Sequence, residues 1–81
     1  MIVRLRFFAS LRERLRRSEA EWTLADGATV SDLWAALCAA FPQLTDLSPS
    51  ISFAVNREYV DRDHALSNND EVALIPPVSG G

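Results

Sequence analysis

From its second residue the chain alternates. In "IVRLRFF", Val3, Leu5 and Phe7 fall on one face and Arg4, Arg6 and Phe8 on the other, the period of a half-buried strand, which strands Phe8 on the polar side. "SLRE" at 10–13 has capping-box spacing from Ser10 to Glu13, and Leu11 and Leu15 stand one turn apart, so a short helix of about two turns is predicted. "EAEWTLADG" sets Ala20, Trp22 and Leu24 against Glu21 and Thr23 and predicts a second strand ending at the turn pair Asp26-Gly27. The clearest pattern follows it. Thr29 to Asp32 repeats the capping spacing, and Val30, Leu33, Trp34, Leu37, Cys38 and Phe41 recur at helical spacing until Pro42, predicting an amphipathic helix of about three turns. "ISFAVN" then places Ile51, Phe53 and Val55 on one face, and "EYV" reads as a short return strand. "EVALIPP" turns Val72 and Leu74 inward and Ala73 and Ile75 outward, until Pro76 and Pro77, which have no N–H to donate, stop the ladder.

The predicted order is strand, short helix, strand, long helix, then two or three strands. One dominant helix for one sheet implies an α+β domain in which that helix crosses the buried face of a mixed sheet. The other face is then unusually apolar: Phe8, Ala54, Ile75 and Tyr59 come to lie there beside Arg4 and Arg6. Such a set is either a partner surface or ordinary edge packing, and periodicity alone leaves both open.

Composition narrows the function classes. At 81 residues the chain is one domain able to fold without disulfides, and its 48% hydrophobic and 23% charged content is that of a soluble globular protein. No apolar run is long enough to span a bilayer, and the arginines near the N-terminus lie within and after the apolar stretch, unlike a signal peptide, so a cytoplasmic location is expected. One Cys and one His cannot supply the several ligands of a zinc or iron–sulfur site. A net charge of -3 argues against a nucleic-acid binder, although residues 1–17 hold six Arg and one Glu while residues 18–81 hold two Arg and ten acids. All basic residues are Arg, which leaves no side-chain amine to accept an isopeptide bond. Cys38, on the helix face with Trp34, Leu37 and Phe41, reads as a small core residue rather than a sulfur relay, and Trp22 and Trp34 read as core. His64 reads as a loop residue rather than an acid–base group. Arg12, Arg14, Arg16 and Arg17 read as a solvated helix face with Glu13 to Arg17 at i,i+4, the alternative being steering toward an acidic partner.

The ending "IPPVSGG" carries two of the three glycines. Two prolines set an extended direction and leave Val78, Ser79, Gly80 and Gly81 with nothing to pack on, so a domain over 1–76 and a projecting tail over 77–81 are expected. Without side chains, Gly80 and Gly81 let a terminal carboxylate thread a narrow channel in another protein, the alternative being a chance ending. A carboxylate is a poor electrophile until its oxygen becomes a leaving group, as in an acyl-adenylate made from ATP. The chain has no phosphate-binding glycine loop and no nucleophile–base pair, so activation must come from a partner. The activated acyl group could then pass to an amine, giving a conjugated tag, or to sulfur, giving a thiocarboxylate.

The stretches "LRFFASLRE", "FAVNREYVDRDHAL" and "NNDEVALIPPVSGG" together resemble the small subunit of molybdopterin synthase, the MoaD family of ubiquitin-like sulfur carriers, across nearly the whole chain. The resemblance implies a β-grasp fold and adenylation of Gly81 by a MoeB-type adenylyltransferase that binds the ATP. It implies sulfur supplied by a cysteine desulfurase or rhodanese-type sulfurtransferase, and no cofactor held by this chain. It implies a MoaE-type large subunit, in a heterotetramer, where the Gly81 thiocarboxylate attacks cyclic pyranopterin monophosphate and two sulfur transfers build the dithiolene of molybdopterin. Gly80 and the tail Pro76, Pro77, Val78 and Ser79 would occupy the partner channel, and Phe8, Tyr59 and Ile75 would form the apolar interface. Tyr59 and Ile75 depart from the Leu and Phe expected there, and Asn69 stands where Gly is common, tolerable because Asn accepts positive φ. Two other classes remain open: a carrier for thiamin or tRNA thiolation or a protein modifier, and a β-grasp interaction module without chemistry.

Overall fold

The alternating start becomes strand β1 (Ile2–Phe7), with Val3, Leu5 and Phe7 buried and Ile2, Arg4 and Arg6 exposed. In the computed structural model, which describes residues 1–77, it is followed by α1 (Ala9–Leu15), β2 (Glu19–Thr23) and α2 (Val30–Ala40). A 3₁₀ helix (Pro42–Leu47), β3 (Ser52–Val55), β4 (Glu58–Val60) and β5 (Glu71–Ile75) complete the order. The strands form one sheet in the order β2-β1-β5-β3-β4, with β1 and β5 parallel and every other pair antiparallel. This is the mixed sheet with one principal helix that the pattern implies.

Register keeps the apolar positions together. Val3 faces Trp22, Leu5 faces both Ala20 and Val72, and Phe53 faces Leu74, so a single apolar surface runs across the strands. Against it lie Val30, Leu33, Trp34 and Leu37 of α2, with Leu11 and Leu15 of α1, Leu44 and Leu47 of the 3₁₀ helix, and Leu66 closing the edges. Each fully buried aliphatic side chain contributes roughly 1.5–3 kcal/mol, which makes this face the main source of stability. The Trp34 ring meets Phe53 edge-on at 5.8 Å, and its indole N–H donates to Ser48 Oγ at 2.7 Å, so the one polar atom of a buried ring is satisfied. Trp22 is half-buried and packs against Phe41 at 6.3 Å.

The capping box expected at the start of α2 is complete. Thr29 Oγ1 accepts from the Asp32 N–H at 3.2 Å and Asp32 Oδ2 accepts from the Thr29 N–H at 2.9 Å, an arrangement that contributes about 1 kcal/mol. The box expected at Ser10 and Glu13 does not form. The residue that caps α1 is Phe8, with extended backbone and no side-chain cap, because β1 runs straight into the helix with Phe8 as its only joint; the N–H of Leu11 then donates to Phe8 O at 3.1 Å. Burial of Leu11 and Leu15 sets the helical phase, and it places Ser10 inside the first turn.

The helix ends at Leu15, where Arg16 turns left-handed at φ 56°, so Arg17 is not on it and the expected Glu13–Arg17 pairing has no helical register to stand in. Arg14 leaves the solvated face instead. Its guanidinium donates to Gln43 O and to Asp46 Oδ1, both at 2.9 Å, tying α1 to the 3₁₀ helix. That helix has no counterpart in the sequence reading, since Leu44 and Leu47 make only one repeat of a three-residue period. Asn69 takes φ 69°, as its side chain permits.

The hydrogen bond from Arg14 holds the exposed Asp46 carboxyl below its ordinary value of 3.8. The folded chain therefore binds this proton less readily than the unfolded chain, and the pair's contribution is whole above pH 3.8 and lost as pH falls through the lower folded-state value. Asp46→Asn is expected to flatten the acid limb of a stability–pH curve measured by urea unfolding; an unaltered limb would show that the pair is not formed in solution.

Candidate functional site

The face of the sheet away from α2 is built by register. Tyr59 pairs with Ala54, Ala54 with Ala73, and Ala73 with Arg6, so these four side chains make one row across β4, β3, β5 and β1. The next row, toward the end of β5, sets Ser52 beside Ile75, and Phe8 follows directly on β1. Ala54 and Ala73 are short, Tyr59 and Phe8 are not. The result is a trough with an alanine floor, lined by Arg6, Phe8, Ala54, Arg57, Tyr59, Glu71, Ala73 and Ile75. Phe8, Ala54, Tyr59 and Ile75, which periodicity assigned to this face, are thus brought together.

The walls of the trough are exposed, and the Phe8 wall is held in place. Tyr59 is 72% exposed and Phe8 38%, whereas Ala54 beneath them is 6% exposed. The Arg6 guanidinium carbon sits 5.6 Å from the centre of the Phe8 ring, and its Nη1 is 3.4 Å from Glu71 Oε1. A cation over the ring, itself anchored by a carboxylate, restricts where the aromatic can turn. Beyond Arg6 the face becomes charged: Arg4 opposes Glu21 on one side and Glu71 on the other, and Arg6 opposes Glu19. The outer face is therefore divided, with an apolar half toward Tyr59 and Ile75 and a charged half of mixed sign toward β2.

Ile75 joins this surface to the tail. It is half-buried at the end of β5, Pro76 after it is buried against the domain, and Pro77 is exposed. Val78, Ser79, Gly80 and Gly81 lie outside the described residues. Cys38 is half-buried on α2 beside the core. His64 is exposed; its carbonyl accepts from the Val30 N–H at 3.0 Å, a backbone role at the start of α2. The sequence pattern turns Ala73 outward without counting it in the apolar set, and it passes over Arg57 and Glu71 as lining residues. The outward register of β5 would have revealed Glu71, but Arg57 is aimed by a turn and not by strand periodicity.

An α2-type helix packed on a five-stranded mixed sheet whose first and last strands are parallel neighbours defines a ubiquitin-like β-grasp domain. The chain belongs to the ThiS family, whose model matches residues 5–81. It is 43% identical to the molybdopterin synthase sulfur carrier subunit of Chlamydomonas reinhardtii over 100% of both chains. It is 35% identical to small archaeal modifier protein 3 of Haloferax volcanii, again over 100% of both. The fold superposes on the crystal structure of small archaeal modifier protein 1 from Haloferax volcanii with a TM-score of 0.87, at 30% identity and 100% coverage of each chain. The family inferred from the three quoted stretches is the family found. No helix among the described residues is long and apolar enough to cross a membrane.

If the Tyr59 ring serves the outer surface and not the fold, Tyr59→Ser leaves the unfolding free energy within about 0.5 kcal/mol of the unaltered chain by urea denaturation. A loss of about 2 kcal/mol or more would instead make the ring part of the core.

Proposed function

We propose that this chain is the sulfur-carrier small subunit of a molybdopterin synthase, working in the cytoplasm. The observation that carries the reading is the covalent adjacency of the trough and the tail: Ile75 belongs to the apolar surface and stands only a Pro-Pro step from the segment ending in Gly80-Gly81. A partner that grips the surface has the terminus within six residues of Ile75. The full-length similarity to a molybdopterin synthase sulfur carrier subunit supports the same conclusion.

The chemistry follows from the carboxylate. On an adenylyltransferase of the MoeB type, a Gly81 oxygen attacks the α-phosphorus of ATP and pyrophosphate leaves, giving the acyl-adenylate. A sulfurtransferase or cysteine desulfurase carries the sulfur as a cysteine persulfide, whose terminal sulfur attacks the acyl carbon as AMP departs. A thiol reductant then cleaves the acyl disulfide and releases the thiocarboxylate, which free sulfide forms directly. The chain then docks on a MoaE-type large subunit through Phe8, Tyr59 and Ile75. Pro77, Val78, Ser79 and Gly80 lead Gly81 into the subunit's channel; Pro76, expected from the sequence to enter it with them, is buried against the domain and stays there. In the channel the thiocarboxylate sulfur bonds to a side-chain carbon of cyclic pyranopterin monophosphate as a carbon–oxygen bond at that carbon breaks and its oxygen leaves as water or as the phosphate oxygen. Water then hydrolyses the resulting thioester, leaving sulfur on the pterin and returning the Gly81 carboxylate. Two such transfers complete the dithiolene. The chain supplies the sulfur, the reach and the docking surface, and the large subunit supplies the pocket.

A second reading, passage of the same activated terminus to a protein amine, is favoured by the similarity to small archaeal modifier protein 3. Both share the Gly81 adenylate and differ only in acceptor.

Intact-mass measurement of the chain incubated with ATP, the adenylyltransferase and a sulfide source tests the carrier step. The mass should rise by the difference between one sulfur and one oxygen, and deletion of Gly81 should abolish the change. Gly81→Ala should slow it by about tenfold to a hundredfold, the effect of a Cβ overpacking a channel at ~1–3 kcal/mol, with no change in melting temperature. An unchanged mass, with an activating enzyme shown to modify its own carrier, contradicts the proposal.

A further inference from the structure

Arg57 occupies a backbone position that does not suit it. Asn56 and Arg57, with φ of 51° and 72°, are the two central residues of the loop between β3 and β4. Such a loop favours Asn at its first position and Gly at its second. Asn56 conforms. Its amide also stitches the loop to β5, with Nδ2 donating to Asp70 Oδ1 at 3.0 Å and Oδ1 accepting from the Glu71 N–H at 3.1 Å. Arg57 holds a left-handed conformation that its Cβ disfavours and that glycine would adopt freely.

The side chain that stands there is exposed and lines the trough. Among the described residues it enters no ion pair, whereas Arg6 on the opposite side is paired with Glu71. Beneath both lies the floor of Ala54 and Ala73, directly opposed across β3 and β5, with Tyr59 rising on one side and Phe8 and Ile75 on the other. The depression encloses about 500 Å³, ample for a large side chain, and an uncompensated planar guanidinium stands at its rim. That geometry is selective for a carboxylate, which a guanidinium can grip through two parallel N–H donors.

We propose that Arg57 is a specificity-determining residue for the docking partner. The partner seats a bulky apolar side chain over Ala54 and Ala73 and presents a neighbouring carboxylate to the Arg57 guanidinium. This rests on the reading that the large synthase subunit docks on this face. In a chain of net charge -3, Arg57 makes the mouth of the trough locally attractive to an acid that the rest of the molecule would repel.

The test is calorimetric titration of the full chain with the large subunit of the same organism, at low and high salt, alongside thermal melts. Arg57→Gly should melt higher than the unaltered chain because the loop backbone relaxes. It should nevertheless bind about tenfold more weakly and with a flatter salt dependence. Arg57→Glu should bind more weakly still and recover when the facing partner carboxylate is changed to lysine, and Ala73→Leu should lose binding by filling the floor. An Arg57→Gly chain that binds as tightly as the unaltered one, with the same salt dependence, overturns the proposal, as does one that melts lower, which would give the side chain a role in the fold. An unaltered chain that acquires the thiocarboxylate yet does not bind the large subunit overturns the docking assignment beneath the proposal.

Discussion

At the centre of the sheet the first strand lies parallel to the last, with Leu5 beside Val72 and Phe7 beside Leu74. Parallel neighbours cannot be joined by a hairpin, so the chain between them must cross a face of the sheet, and α2 with its complete capping box is that crossing. The two strands start from the same end. They therefore finish together, β1 at Phe7 and β5 at Ile75, and this puts Phe8 beside the exit of the tail. Hydrophobic burial on one face thus determines, through register, what appears on the other.

That other face shows how a small domain can carry a docking surface without endangering itself. Its apolar half is narrow, its floor is made of alanines that bury little, and its Phe8 wall is held in place at the rim, Phe8 beneath Arg6 and Arg6 against Glu71. The remaining half is an alternation of Arg4 and Arg6 with Glu19, Glu21 and Glu71, which keeps an exposed sheet face soluble. Stability is supplied by Val3, Leu5, Leu33, Leu37, Val72 and Leu74 on the far side, so the outer face is free to answer to a partner.

The inward and outward residues of β1, β2, β3 and β5 were legible in the sequence, because a strand's period of two is local and the burial of Val3, Leu5, Phe53, Val72 and Leu74 leaves no choice of face; β4, three residues long, was legible only as a return strand. The Thr29–Asp32 cap was legible for the same reason. Features set by distant contacts were not. Strand order is a matter of non-local pairing, and the start of α1 was displaced from Ser10 to Phe8 by the tight joint with β1. Arg14 found Asp46 across the molecule instead of a neighbour on its own helix. In the site, Phe8, Tyr59 and Ile75 could be named from alternation and resemblance, but Arg57 could not, since a turn conformation decides where its side chain goes.

In the proposed function, docking on the outer face delivers a sulfur-bearing terminus to a pterin. The most direct measurement is single-turnover transfer from the purified thiocarboxylated chain to cyclic pyranopterin monophosphate, with and without the large subunit, following the mass of the chain and the pterin together. The chain should return to its carboxylate mass only when the large subunit is present, and two chains should be consumed for each dithiolene formed. A thiocarboxylate that persists in the complete mixture, or that is lost without sulfur appearing on the pterin, would contradict the proposal.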